Sequence, residues 1–201
     1  MEQISYYAGA ISFAIVILTW LVFDGIFLLR KKPASSAPEK VRAAKSLIGI
    51  ALQVVSFVLV WALHRDPFLS PFVDDQFILN IILQIAAILL AIGSVWTANS
   101  AIKELGKQWS FQARLIEDHR LVTSGVYQIV RHPIYAAMLG MLIATALVLS
   151  HWLVTIIAVI IFIAGTKIRT VSEEKLLRDA FPGEYKDYAR RVSAFIPFVK
   201  I

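Results

Sequence analysis

The stretch IYAAMLGMLIATALVLSHWLVTIIAVIIFIAGTK, residues 134–167, carries Lys167 as its only charged side chain. Two apolar runs, 134–149 and 152–167, are separated by Ser150 and His151 alone. Pro133 precedes the first run, a favoured place for a residue without an N–H at a helix start. Runs joined by so short a turn fold back on each other as an antiparallel helical hairpin. Neither run has a polar face to offer water, so the bilayer is the solvent of this chain.

Working upstream, three more apolar runs cover residues 4–29, 46–63 and 77–99. Each is long enough to cross a bilayer at about 1.5 Å per residue. The first contains Trp20 and Asp24. Asp24 lies about two turns from the basic end, placed to reach the interface or to face a neighbouring helix. Gln53 is the one strongly polar residue inside the second run. The connection at residues 30–45 holds six basic residues and one acid, with Pro33 and Pro38. Such a loop belongs on the cytosolic side. Residues 64–76 carry Asp66, Asp74 and Asp75 against Arg65 alone, and suit the outer side. The expected fold is an all-α integral membrane protein of about five transmembrane helices, with the N-terminus outside and the C-terminus inside. Residues 1–99 form three transmembrane helices, residues 100–201 the functional region, and the whole is one structural unit.

Composition agrees. Of the 201 residues, 58% are hydrophobic and 17% charged, and the mean hydropathy is +0.71. A soluble domain of this size could not hide so much apolar surface. The absence of cysteine excludes disulfides, thiolate ligands and a nucleophilic thiol. The net charge of +6 sits in short segments between apolar runs. It therefore reads as topology-setting charge beside anionic lipid, not as a nucleic-acid surface. The start Met1-Glu2-Gln3 has no basic segment ahead of its apolar run and no small-residue cleavage site after it. It reads as a first span and not as a cleaved leader.

Residues 100–133 are mixed polar and apolar, and the loop is long for a mere connector. Its end, 118–135, brings together His119, Arg120, Tyr127, Arg131, His132 and Tyr135 around Gly125, against the start of a membrane helix. Anchoring in the headgroups is one reading of these groups. Downstream, Arg169 and Glu173 are spaced i,i+4 on one face of an expected amphipathic helix over residues 169–180. A surface ion pair is the plain reading there, with Glu174 on another face and solvated. Phe181-Pro182-Gly183 stops that helix, and Tyr185 and Tyr188 follow as interface aromatics.

In order, these elements are Gly-Val-Tyr at 125–127, Arg-His-Pro-x-Tyr at 131–135, a hairpin, Arg169 with Glu173 and Glu174, Tyr-x-x-Tyr at 185–188, and Ile-Pro at 196–197. The set resembles the isoprenylcysteine carboxyl methyltransferases, within a wider group that includes the phospholipid methyltransferases. The resemblance covers residues 100–201, while the first three spans match only as generic membrane helices. It implies S-adenosylmethionine bound in a cytosolic pocket, without a Rossmann fold. No Gly-x-Gly-x-x-Gly follows a strand in this chain. By the resemblance, the donor contacts are Gln112, His119, Arg120, Leu121, Val122, Tyr127, His132, Pro133, Ile134, Tyr135 and Glu173. Arg169 faces the acceptor carboxylate, and Arg169 and Glu173 are the two residues closest to catalysis. The implied acceptor is a prenylated cysteine or another lipidic acid arriving from the bilayer, with neither nucleic acid nor metal as partner. Phe181-Pro182-Gly183 departs from the usual Phe-Gly, and Ala136 and Ala137 stand where a glycine is common.

Two other enzyme readings share part of this pattern. A phospholipid N-methyltransferase would have the same topology and donor, but Arg169 suits an acid better than an amine. An NADPH-dependent sterol reductase ends in a partly similar Arg-His and Tyr region, yet is a larger protein. A non-enzymatic membrane module that keeps the fold is the remaining alternative.

Overall fold

In a computed structural model of the chain, residues 2–29, 39–42, 46–67, 72–74, 76–110, 114–116, 119–197 and 199 are described. Among them are the helices α1 (Glu2–Leu28), α2 (Ser46–Ala62), α3 (Phe77–Leu105), α4 (Pro133–Leu149), α5 (Trp152–Ala180) and α6 (Pro182–Arg191). Three stretches, Tyr6–Leu28, Phe77–Gln108 and Trp152–Ala180, are long and apolar enough to cross a membrane. The helices α2 and α4 are apolar but have 17 residues each. That is about 25 Å of rise, near the lower end of what a hydrocarbon core requires.

The surface of the bundle explains why it needs lipid. On α3, Ile78, Ile82, Ile85, Leu89, Ile92 and Trp96 are all exposed. They recur at alternating steps of four and three, which is one stripe of a helix. The opposite stripe of Ala87, Ala91, Ser94, Ala98 and Ala101 is buried. Small side chains there let α4 come close, which is how helices associate where lipid removes the hydrophobic drive. A Cβ added to Gly140 of α4 would lie 2.4 Å from the Ser94 hydroxyl.

The hairpin forms at Ser150–His151, but α4 packs chiefly on α3, and α5 chiefly on α2. The reason is visible at Gly49 of α2 and Gly165 of α5. A Cβ on either would sit 2.6–2.7 Å from the other's carbonyl oxygen. At the far end of α4 the Arg65 guanidinium donates to the carbonyls of Leu147 at 2.8 Å and Ser150 at 3.0 Å. It satisfies groups that every helix end leaves unpaired.

Three features differ from the sequence expectations. The third helix does not stop at residue 99; it runs to Leu105 and ends at Gly106, whose φ of +55° breaks it. Residues 169–180 are not a separate helix but the continuation of α5, because nothing between Lys167 and Arg169 breaks a helix. The chain is also not purely helical. A short strand β1 (Glu39–Arg42) pairs antiparallel with β2 (Arg114–Ile116), tying the basic loop after α1 to the loop before α4. Phe181-Pro182-Gly183 does end α5, and Pro182 opens α6 at the position where proline is tolerated.

Candidate active site

The site forms where the loop before α4 is clamped from both sides. The tail pairs with it: Arg131 donates its backbone N–H to the Ser193 carbonyl, and His132 to that of Ala194, both at 2.8 Å. The Tyr188 hydroxyl of α6 donates to the Tyr127 carbonyl at 2.6 Å. From α3, Glu104 accepts from the Ser124 hydroxyl at 2.9 Å. Gly125 has a φ of +58°, and a Cβ there would meet the Glu104 carboxylate at 2.5 Å. Only glycine serves both needs.

The charged groups then fall into a connected network. The Arg131 guanidinium grips Glu174 at 2.8 and 3.1 Å, with side-chain exposures of 10% and 15%. His132 places one ring nitrogen 3.2 Å from Glu174 and the other 3.4 Å from Glu173. The Tyr135 hydroxyl donates to Glu173, and its ring stacks on His132 at 5.6 Å. The Arg169 guanidinium lies 4.6 Å above the Tyr135 ring, a cation–π geometry. Arg169 also donates to the Gln53 carbonyl oxygen at 2.7 Å, and Gln53 donates in turn to Thr166 at 2.8 Å.

Burial pulls the His132 imidazole down, but hydrogen bonds and charge from Glu173 and Glu174 outweigh it and hold its pKa above the ordinary value. His119 has no such carboxylates, and burial lowers it. Burial, assisted by Tyr188, Glu173 and Glu104, pushes the Tyr127 phenol far up, so it remains a neutral donor.

These residues surround a cavity of about 1050 Å³. Its polar end is bounded by His119, Tyr127, His132, Tyr135, Arg169 and Glu173. Pro133 and Ile134 line it too. Its apolar end runs between α1 and α2 past Trp20, Phe23, Phe57, Val58 and Trp61. A smaller cavity of about 70 Å³ adjoins through His119, Tyr127, Arg131 and His132, and is lined also by Arg120, Leu121 and Val122. The expectation for Gln112 falls outside the described residues. Two participants were missed. Glu174, which the sequence places on a solvated face, is instead held by Arg131 and His132 from far along the chain. Gln53 stood out as the lone polar residue of its run without any sign of what it holds.

A helix bundle with a lipid-type apolar surface, and a buried ionic network at one end of a half-apolar cavity, defines a membrane protein with an amphipathic pocket. The sequence places it more narrowly. Residues 82–184 match the phospholipid methyltransferase family model. The chain is 31% identical over 157 residues to protein-S-isoprenylcysteine O-methyltransferase B of Arabidopsis thaliana, covering 78% of this chain and 74% of that one. It is 33% identical over 113 residues to the protein-S-isoprenylcysteine O-methyltransferase of Saccharomyces cerevisiae, covering 55% and 47%. Against the Mus musculus protein of the same name it is 35% identical over 89 residues, 44% of this chain and 31% of that one. This chain thus spans most of the plant relative and about half or less of the other two. The chain belongs to the phospholipid methyltransferase family, in its isoprenylcysteine carboxyl methyltransferase group.

Proposed function

We propose that the protein is a membrane-embedded carboxyl methyltransferase, using S-adenosylmethionine to methylate the carboxylate of an isoprenylated cysteine or a similar lipidic acid at the cytosolic face. The observation that carries this is the meeting of Arg169, Tyr135 and Glu173 where the polar end of the large cavity turns apolar. An acidic head and a long tail need those two environments in contact. The reading includes five crossings, with the N-terminus outside and the C-terminus inside.

The polar end fits a charged nucleoside. The buried His119 Nδ1 has no hydrogen-bond partner among the described residues, and buried polar atoms left unpaired are costly unless a ligand completes them. Leu121, Val122 and their backbone groups flank His119 at the small cavity and suit the adenine edge. Glu173 and His132 suit the amino-acid end of the donor, and Glu173 is the group to accept from its ribose or ammonium. When bound, the donor supplies a methyl on a sulfonium: the S–CH3 bond breaks as an O–CH3 bond forms, leaving a neutral thioether and an ester. Arg169 holds the acceptor carboxylate by its planar fork, and Gln53 with the Tyr135 ring fixes the direction of that fork. No base is required, since the acceptor oxygen is already anionic at neutral pH. The protein's work is alignment and exclusion of water.

The test is transfer of a tritiated methyl group by purified protein to a farnesylated cysteine analogue, with phosphatidylethanolamine as the competing acceptor. Arg169→Ala is expected to lower transfer at least a hundredfold while S-adenosylhomocysteine affinity stays within about threefold. Glu173→Ala is expected to weaken that affinity tenfold or more. Label on the phospholipid amine, or a thermal shift with NADPH but none with S-adenosylhomocysteine, overturns the reading.

A further inference from the structure

Adjacent residues of a helix point about 100° apart, and the pair Glu173 and Glu174 of α5 uses both directions. Glu173 lines the large cavity, whereas Glu174 is not among the residues that line either cavity. The Glu174 side chain is only 15% exposed, and a buried carboxylate is costly unless it is paired. Its Oε1 accepts from the Arg131 guanidinium at 2.8 and 3.1 Å and lies 3.2 Å from His132 Nε2.

His132 carries this contact onward to the cavity. Its backbone N–H donates to the Ala194 carbonyl at 2.8 Å, and its ring stacks on Tyr135 at 5.6 Å. The second ring nitrogen, Nδ1, lies 3.4 Å from Glu173 Oε2. The other oxygen of Glu173 accepts from the Tyr135 hydroxyl. Each oxygen of Glu173 therefore has its own partner, and the carboxylate has one direction. That direction depends on what His132 presents to it. A neutral imidazole has one N–H and one lone pair. With its N–H towards Glu174, it would turn the lone pair on Glu173, and the two would repel. A carboxylate at each ring nitrogen keeps both protons on the ring, which then donates both ways.

We propose that Glu174 is a positioning residue for the methyl donor: acting through the His132 ring, it aims the Glu173 carboxylate into the polar end of the cavity. This rests on the reading of S-adenosylmethionine as the donor. Glu174 touches neither donor nor acceptor. Without its charge the His132 ring is free to lose a proton or to rotate, and one oxygen of Glu173 loses its partner. The donor then lacks a fixed group to accept from its ribose or ammonium. The acceptor end keeps its contacts, since Arg169 is held by Gln53 and by the Tyr135 ring. A purely structural Glu174 would act differently. Arg131 also donates to the Ala189 and Val192 carbonyls, so the loss would spread through the clamp on the tail and not through His132.

The experiment measures kcat, KM for the donor, KM for a farnesylated cysteine acceptor and, by calorimetry, Kd for S-adenosylhomocysteine. It does so in the wild type, Glu174→Gln, His132→Gln and the double variant. Glu174→Gln is expected to raise donor KM and Kd about tenfold, with kcat and acceptor KM within about twofold. In the His132→Gln background the same substitution should add no more than about twofold, because the ring through which it acts is gone. A full loss in that background, or an equal loss for donor and acceptor, assigns Glu174 to the tail clamp and overturns the proposal. Should Glu174→Gln not fold, the wild type decides. In nitrogen-15 histidine spectra at neutral pH, assigned with His132→Gln, both ring nitrogens of His132 should carry a proton; a neutral ring overturns the proposal. Absence of any S-adenosylhomocysteine binding by the wild type sinks the donor reading and this role with it. Binding without the expected coupling sinks the positioning role alone.

Discussion

His132 faces a different carboxylate with each ring nitrogen, and only the imidazolium can donate to both. Its pKa is held above the ordinary 6.5 by Glu173 and Glu174 in spite of burial. The sign of the linkage follows. Below about pH 6.5 the unfolded chain is protonated as well, and the full stabilisation is present. As pH rises through the raised folded value the proton leaves, and the stabilisation goes with it. The melting temperature in detergent is therefore expected to fall as pH climbs from 6.5 through the raised folded value. His132→Gln should be less stable at pH 6 and flatter across the range; a flat wild-type curve would remove His132 from this role. The pair beside it is more demanding. Removing one partner of a buried ion pair costs about 3 kcal/mol, and Glu174→Ala is expected to show that loss in chemical denaturation. Sequence could not have supplied this. The i,i+4 rule sees Arg169 and Glu173 because they share a helix, whereas Glu174 is bound to residues 42 and 43 positions away. Gln53 is bonded to a residue 116 positions distant. Local spacing identifies a polar residue in an apolar run, but only packing names its partner.

At the scale of elements, hydropathy predicts the helix cores well because lipid imposes a single requirement on every span. Where that requirement ends, so does its guidance. The C-terminal ends of α3 and α5 leave the apolar zone yet stay helical, since Lys103, Glu104, Glu173, Glu174 and Lys175 are good helix formers. The β1–β2 pairing joins two loops whose sequences carry no strand pattern to announce it. Helix partners were equally hidden. Adjacency in sequence suggests α4 on α5, but small residues settle the matter, with Gly165 meeting Gly49 of α2. That contact also sets the site, because Gln53 lies one turn beyond Gly49 and Arg169 one turn beyond Gly165. Gly165→Ala forces the helices apart, its Cβ falling 2.7 Å from a backbone carbonyl. Overpacking of this kind costs about 1–3 kcal/mol. The variant is expected to lose that much stability and also to lose acceptor affinity, as Gln53 moves away from Arg169. Stability lost with the KM for acceptor unchanged would separate the helix contact from the site.

For the whole molecule, the arrangement of α1 decides how an acceptor arrives. This helix leans on α3 and touches α4. It is pinned to α4 by a hydrogen bond from the Trp20 indole to Thr145 at 2.9 Å. It does not pack along α2; the cavity separates them, bridged by Trp20 against Phe57. Val54, Val58 and Trp61 of α2 line the cavity and are exposed as well, so its apolar end opens sideways. On the proposed reading, a tail already dissolved in lipid would enter there without crossing water, and a water-soluble donor would bind at the polar end. Because the chain has no cysteine, the two routes can be separated cleanly. In a variant carrying Trp20→Cys and Phe57→Cys, a short bifunctional thiol reagent would tie α1 to α2. Methylation of a farnesylated acceptor is expected to fall at least tenfold on cross-linking, relative to the same variant untreated. The thermal shift given by S-adenosylhomocysteine should be unchanged. Undiminished transfer after complete cross-linking would mean that acceptors enter elsewhere. A lost cofactor shift would mean that the two ends of the cavity move as one, and that the cleft between α1 and α2 is part of the donor site as well.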